Sequence, residues 1–399
     1  MIKILRIINR FNLGGPTYNA AYLSRYLPEN FETKLIGGAN QASENSSLFI
    51  LEKIGVKGEV IEEMRRSINP FNDLKAYLKI RKILKQYKPD IVHTHASKAG
   101  TLGRLAAIRL KVPVIVHTYH GHIFHSYFSS FKTFIFKTIE RFLARRSDAI
   151  VVISELQRNE LCNIFKIVPS KKAHVIPLGF DLSRFFNINS DDRTRFRKLY
   201  NIQNEEILSV IVGRMAPVKN HGMVVHIVKT LRDKYQNDKI KIMIVGDGET
   251  RTEIEQMFIN EYFTISTPEK PDNNAQIIFT SWIFEIEKVY TGADISFLTS
   301  LNEGTPVSLI ESLASGVPIV STNVGGIADF VSDGEHGFLV ESNDHELFAE
   351  RLNRLSIDHE LRKNMSEKGR KQVEEKFSYT RLVDDVAKLY LGLMDLKKN

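Results

Sequence analysis

Short apolar runs of strand length alternate with stretches of helical period along the whole sequence. A first series of runs lies at residues 2–8, 33–37, 91–95, 114–118, 149–153 and 174–177. A second lies at 207–212, 240–245, 276–280, 295–298, 319–322 and 338–340. Most are continuously apolar, as expected for strands covered on both faces, and helical crossovers between them imply parallel pairing. Two such series predict an α/β protein with two doubly wound domains in tandem. The boundary falls in LGFDLSRFF, where Gly179 and Asp181 close the first series, giving domains 1–181 and 182–378. The sequence holds no internal repeat and no low-complexity tract.

Two loops of the second series carry chemistry. After the apolar run ADISFLTS comes EGTPVSLIE, residues 303–311, with Glu303 and Glu311 eight positions apart around a Gly-Thr-Pro turn. Pro306 suits the first helical position and Thr305 is placed to cap the free amides. A helix start attracts phosphate, and the flanking carboxylates suit hydroxyls on either side of it, a pattern that describes a nucleotide-sugar. Earlier in the same half, ILSVIVGRMAPVKN ends a buried strand at Gly213 and supplies Arg214 and Lys219 on the loop after it. Those cations are well placed to neutralise a diphosphate at the carboxyl ends of parallel strands. Alone, each loop would also pass for an ordinary strand–loop–helix or a solvated basic turn.

GRMAPVKN followed by EGTPVSLIESLASGVPIVSTNVGG resembles the C-terminal half of family-4 retaining glycosyltransferases of the GT-B fold. FNLGGPTYNAAYLSRYL, DIVHTHASKAGTLGRLAA and VIVHTYHGHIFHSYF resemble the N-terminal half, in the manner of bacterial enzymes that build surface polysaccharides and lipid-linked oligosaccharides. The resemblance spans almost the whole chain. It implies two Rossmann-like domains facing a central cleft: an acceptor-binding domain, 1–181, completed by a C-terminal helix at 379–399, and a nucleotide-sugar domain, 182–378. A UDP-sugar is the implied donor and a lipid-linked or glycan acceptor its partner. Arg214 and Lys219 would hold the diphosphate, Glu311 the ribose and Glu303 the distal hydroxyls of the sugar. The backbone from Gly304 through Thr305 and Pro306 to Val307 would add to phosphate and sugar binding. In the first domain the loop with Gly14 and Gly15 would face sugar and phosphate. His120, followed by Gly121, would donate a hydrogen bond at the sugar ring, with His122 a second candidate. A same-face displacement assisted by the leaving phosphate, without cofactor or metal, follows from the family. Two other classes share the architecture or ligand: a UDP-sugar epimerase, which would need acid/base carboxylates, and a non-catalytic nucleotide-sugar-binding subunit.

Composition narrows this further. Of 399 residues, 43% are hydrophobic and 26% charged, a globular balance. A single cysteine, Cys162, excludes an internal disulfide framework and fits a reducing compartment. No signal-peptide pattern opens the chain and no apolar stretch is long enough to span a bilayer, so a cytoplasmic enzyme is expected, peripheral on the membrane at most. Residues 1–180 hold 28 Lys and Arg against 13 Asp and Glu, or +15, whereas the remainder holds 27 against 34, or −7. So basic a half argues for an anionic partner, a membrane surface or lipid diphosphate rather than nucleic acid, for which no motif is present. Residues 128–146 read as a basic amphipathic helix, with Phe131, Phe134, Ile135, Thr138, Ile139 and Phe142 on one face and Lys132, Lys137, Arg141, Arg145 and Arg146 around it. This is either an interfacial helix or a packed one with a solvated basic side; the charge of the domain favours the former. Histidines crowd two strand ends: 93 and 95, then 117, 120, 122 and 125. Strand alternation is expected to separate His93 and His95 from a shared face with their neighbours, and no accompanying ligand set favours a metal. His93 and His117 are expected to be buried and satisfied.

Overall fold

The computed structural model describes residues 1–11, 15–39, 48–65, 67, 69–121, 130–187 and 189–398, with side chains from 133 onward in the helix that begins at 130. The chain divides into two compact units, Met1–Phe180 with Phe377–Asn399, and Asp181–Lys376. In the first, β1 (Ile2–Ile8), β2 (Phe31–Gly38), β3 (Gly58–Ile61), β4 (Ile91–His95), β5 (Val114–Tyr119), β6 (Ala149–Val152) and β7 (Ala173–Val175) form one parallel sheet. Their order is β3-β2-β1-β4-β5-β6-β7. The second unit contains β8 (Ile207–Val212), β9 (Ile240–Val245), β10 (Ile265–Ser266), β11 (Ile277–Phe279), β12 (Ile295–Leu298), β13 (Ile319–Thr322) and β14 (Gly337–Val340). These order as β10-β11-β9-β8-β12-β13-β14, again all parallel.

Both sheets are therefore doubly wound, with the strand order reversing beside the first strand of each unit. In an open parallel sheet that reversal leaves a crevice at the carboxyl ends of the two strands flanking it, β1 with β4 and β8 with β12. Central strands are buried throughout: every residue of β4, β5, β9, β12 and β13 is shut off from solvent. Two edge strands, β3 and β10, were not among the predicted runs. GEVI and IS are too short to show a period, and pairing with β2 and β11 decides them.

The helix Tyr379–Lys398 belongs to the first unit. Leu382, Val383, Val386, Ala387 and Tyr390 join Ile4, Ile91, Val114, Val116 and Val151 in one apolar cluster. The chain leaves this unit and re-enters it side by side: Phe180 N–H donates to the Phe377 carbonyl at 2.8 Å, and Tyr379 N–H to the Phe180 carbonyl at 3.0 Å. Among the described residues no helix is long and apolar enough to cross a membrane.

Candidate active site

In the second unit, β8 and β12 run parallel and their following loops meet. Leu301 N–H donates to the Val218 carbonyl at 2.8 Å, and Thr299 Oγ1 to the Lys219 carbonyl at 3.0 Å. This stitching brings Lys219 against Glu303: Nζ donates to Oε1 at 2.5 Å, and Ser300 Oγ donates to the same oxygen at 2.6 Å. Both side chains are largely covered, at 22% and 10% exposure, so the pair is pre-organised rather than a solvated surface contact. A third loop supports them from below. Gly326 N–H donates to the carbonyls of Glu303 and Gly304 at 3.3 and 3.1 Å. Gly325, at φ +59°, lies so near that a Cβ there would fall 1.7 Å from the Glu303 carbonyl oxygen. Only glycine satisfies both the left-handed backbone and that approach.

The helix after Glu303 starts one residue later than expected. It spans Val307–Ala314, Pro306 is its N-cap, and no side chain caps it. Thr305 therefore does not cap the amides. Pro306 has extended ψ of 106°, and its ring brings no N–H to the helix start. Leu309 and Ile310 N–H donate to the Pro306 carbonyl, which leaves the amides of Val307 and Ser308, among the described residues, for a ligand or water, the condition under which a helix start binds an anion. A Cβ built on Gly304 would meet nothing within 4 Å. Glu311, one turn on, is mostly buried. Burial pushes its carboxyl up to about 7, partly opposed by Arg184 and reinforced by Glu287. Arg184 Nη2 lies 3.8 Å from Glu311 and Nη1 3.3 Å from Glu287.

Arg214 is not gathered into the Lys219–Glu303 pair. Its guanidinium reaches Glu249 Oε2, with Nε at 3.1 Å and Nη2 at 3.0 Å, and its side chain is 67% exposed. A pair so exposed is weak and readily exchanges its carboxylate for an incoming anion. His221, just beyond Lys219, is buried with both ring nitrogens unpartnered among the described residues. Burial and Lys219 hold its imidazole down at about 4. Sequence reasoning passed over Glu249, Arg184, Ser300 and His221. Nothing local marks Glu249 or Arg184, whereas Ser300 and His221 adjoin residues already singled out.

The first unit places its polar residues inside. His93 and His95 share one face of β4, as residues two apart on a strand do, but they are not separated from their neighbours, because His95 meets His120. Their rings stack at 4.3 Å, and His95 continues the stack to His120 at 5.3 Å. Arg6, buried at the centre of β1, reaches both histidines, and Tyr390 closes the cluster from the C-terminal helix. Burial lowers the imidazole of His120 to about 4 and holds His93 and His95 well below the usual range. On the other face, His117 Nδ1 pairs with Thr94 Oγ1 at 2.8 Å. His93 and His117 are thus buried as expected, His93 with both ring nitrogens engaged and His117 with Nε2 lacking a partner among the described residues. A charged residue inside the apolar run KILRII was the one signal that could have pointed to Arg6. Beside the cluster, Ala96 takes φ +64° at the end of β4, a strained conformation for a residue with a side chain.

Gly15 opens the helix Gly15–Arg25; Gly14, His122 and His125 lie outside the described residues. Of the basic segment at 128–146, the helix Ser130–Arg146 is described, while residues 128 and 129 and the side chains of 131 and 132 lie outside. Phe134, Ile135, Ile139 and Phe142 are exposed rather than packed. Arg141 donates to the carbonyls of Phe165 and Lys166, whereas Arg145 and Arg146 are exposed. Among the described residues no group of three or more His, Cys, Asp or Glu side chains is arranged to hold a metal.

Comparison with known proteins agrees with these two halves. Residues 192–372 match the family described as Glycosyl transferases group 1, and residues 13–184 match Glycosyltransferase Family 4. An Escherichia coli relative, UDP-Gal:alpha-D-GlcNAc-diphosphoundecaprenol alpha-1,3-galactosyltransferase, is 30% identical over 85% of this chain and 84% of its own length. The capsular polysaccharide biosynthesis glycosyltransferase CapM of Staphylococcus aureus is 28% identical over 82% of this chain and 83% of its own. Among solved structures, Anabaena Alr3699/HepE in complex with UDP superimposes with a TM-score of 0.79 at 16% identity, covering 98% of this chain and 100% of that one. A glycosyltransferase from Rickettsia africae does so at 0.80 and 20%, covering 98% of each.

Proposed function

This chain belongs to the family-4 glycosyltransferases of GT-B fold, and on that footing we propose that it transfers a sugar from a UDP-sugar to a lipid-linked or glycan acceptor, with retention of configuration, in cell-surface glycan synthesis. The observation that carries the reading is the Lys219–Glu303–Ser300 cluster beside an uncapped helix start, at the strand-order reversal of the second unit. A cation, a carboxylate and free amides at one point match the diphosphate and hydroxyls of such a donor.

Each residue then has a task. Lys219 and Arg214 stabilise the negative charge that builds on the leaving diphosphate, an electrostatic contribution that needs no metal. Arg214 exchanges Glu249 for phosphate oxygens when the donor arrives. Glu303, held by Lys219 and Ser300, accepts from the distal hydroxyls of the sugar, with the backbone of Gly304, Thr305, Pro306 and Val307 around the phosphate. Glu311 accepts from the ribose hydroxyls. The first unit takes the acceptor. Gly14 and Gly15 are assigned to sugar and phosphate by the family resemblance alone, and His120 to a hydrogen bond donated to a sugar hydroxyl or to developing charge. The exposed apolar face of the helix Ser130–Arg146, flanked by Arg145 and Arg146, supports contact with the anionic surface in which a lipid-linked acceptor resides. This makes the enzyme a peripheral one on the cytoplasmic face of the membrane. UDP is the preferred nucleotide because a relative at 30% identity is named for UDP-Gal.

A thermal-shift panel of UDP, GDP and their sugars tests the donor class, because binding to the folded state raises stability by mass action. UDP and one UDP-sugar should raise Tm and GDP should not. Stabilisation by GDP alone would replace the donor, and none by any nucleotide would remove the nucleotide-sugar reading of the loop.

A further inference from the structure

Arg6 lies at the middle of β1 with no solvent exposure, and among the described residues no carboxylate pairs with it. Burying a guanidinium without an anion destabilises a fold, so its contacts call for another explanation. Nη1 donates to His93 Nδ1 at 3.1 Å and to His95 Nε2 at 3.2 Å. Nη2 donates to Tyr390 Oη at 3.2 Å and to the Leu23 carbonyl at 3.4 Å. Tyr390 Oη in turn sits 2.5 Å from His93 Nδ1.

Arginine offers donors and no acceptor, whereas a neutral imidazole has one of each. Every imidazole nitrogen facing Arg6 must therefore be the acceptor. His93 Nδ1 accepts, so its proton is on Nε2, where Thr118 Oγ1 waits at 2.7 Å. His95 Nε2 accepts, so its proton is on Nδ1. That proton points at His120 Nε2, 3.0 Å away. His120 Nε2 must then accept, and its own proton is left on Nδ1. Among the described residues that nitrogen is enclosed and has no partner.

We propose that Arg6 and His95 are positioning residues that fix His120 in the Nδ1-protonated tautomer, so that it presents one N–H at the carboxyl end of β5. Its use in catalysis rests on the reading that His120 serves the donor sugar, but the tautomer itself does not. Tyr390, on the helix Tyr379–Lys398, holds Arg6 and His93 in register. The unpaired buried cation is explained by what it imposes: a neutral imidazole alone would sample both tautomers, and only one offers a donor at Nδ1.

Long-range proton–nitrogen NMR on the whole chain, labelled in its histidine ring nitrogens, reads this directly. The signals of His95 and His120 are assigned by their loss in His95→Gln and His120→Gln. In the wild-type protein both rings should carry the proton on Nδ1; a proton on Nε2 of His120 overturns the proposal. Arg6→Leu should let His120 populate both tautomers and lower kcat by roughly tenfold to a hundredfold, the range known for loss of the outer partner that orients a metal-ligating histidine, with a smaller change in donor KM. Arg6→Lys, which restores a donor, should recover the Nδ1 tautomer and most of the rate. An unchanged tautomer in Arg6→Leu also overturns it. If that variant does not fold, the wild-type spectrum and Arg6→Lys decide. Full activity in His120→Ala together with the expected tautomer would remove His120 from the reaction and leave the relay standing.

Discussion

The two units use one scaffold and put opposite electrostatics at the same place on it. In the second unit the carboxyl ends of β8 and β12 carry formal charges on loops, Lys219 against Glu303 and Arg214 against Glu249, with a raised carboxyl at Glu311 nearby. In the first, the ends of β4 and β5 carry neutral imidazoles stacked inside the sheet layer, governed by one buried guanidinium. The contrast is informative because overall charge runs the other way: the basic half has neutral imidazoles at its strand ends and the acidic half has cations on its loops. Exposed charge serves encounter with partners, whereas chemistry depends on the few groups that the fold removes from water.

If the first unit is a closed polar interior, breaking one buried pair should be severe. Arg104 Nη2 donates to Glu140 Oε2 at 2.7 Å, and Tyr119 Oη to the same oxygen at 2.5 Å, with the two ionic side chains 0% and 9% exposed. Glu140→Ala should lower unfolding stability by about 3–5 kcal/mol, because it strands a buried cation. Urea titration measures this, and a loss below about 1 kcal/mol would erase the distinction between the units.

Next in size is Lys219→Ala. It should lower transition-state stabilisation by about 2–4 kcal/mol, a hundredfold or more in turnover. Near-wild-type kcat would take Lys219 out of the site. Activity surviving EDTA would agree with cations doing the work of a metal, and a loss restored by a divalent ion would contradict it.

The two glutamates sharpen the comparison within the second unit. Calorimetry should show Glu311→Ala weakening both free UDP and UDP-sugar, and Glu303→Ala sparing free UDP while lowering turnover. Equal weakening of UDP would exclude the separate roles. Glu311 also predicts a pH effect with a definite sign. Its folded pKa, about 7, lies above the unbound carboxyl value of 4.5, so the folded state holds the extra proton between those values and stability falls as pH rises through that window. Glu311→Gln should therefore match wild type near pH 4.5 and exceed it in Tm at pH 8, in the absence of ligand. No growth of the difference with pH would mean that the carboxyl is solvated. Smallest of all, Glu249→Ala should change stability by less than about 1 kcal/mol, since the pair it breaks is exposed.

The sequence carried the architecture because parallel strands are buried on both faces, and ILSVIV or IKIMIV is short, rich in β-branched residues and bounded by turn signals. It carried Lys219 and Glu303 because each lies on the loop after such a strand. It did not carry Glu249, which meets Arg214 from the end of β9, a proximity that only the strand order creates. Thr305 failed as a cap because proline at 306 took the capping position itself. His93 was legible as a buried, satisfied histidine, but the cluster it forms with His95 was not, because strand spacing alone does not show it. Their partners are Arg6 on the adjacent strand, His120 beyond β5 and Tyr390 on a helix 297 residues after His93.

That last separation has a consequence for synthesis on the ribosome. Residues 181–376 are contiguous, so the second unit has all its strands before the first unit is complete. The first unit waits for Val383, Val386 and Tyr390 to cover Ile4 and Ile91 and to anchor Arg6. At about 5–20 residues per second, roughly 200 residues of further translation leave its apolar sheet face bare for tens of seconds. The earlier-made domain is the later to mature, and that interval is when a nascent chain of this enzyme is most exposed to chaperones and to aggregation.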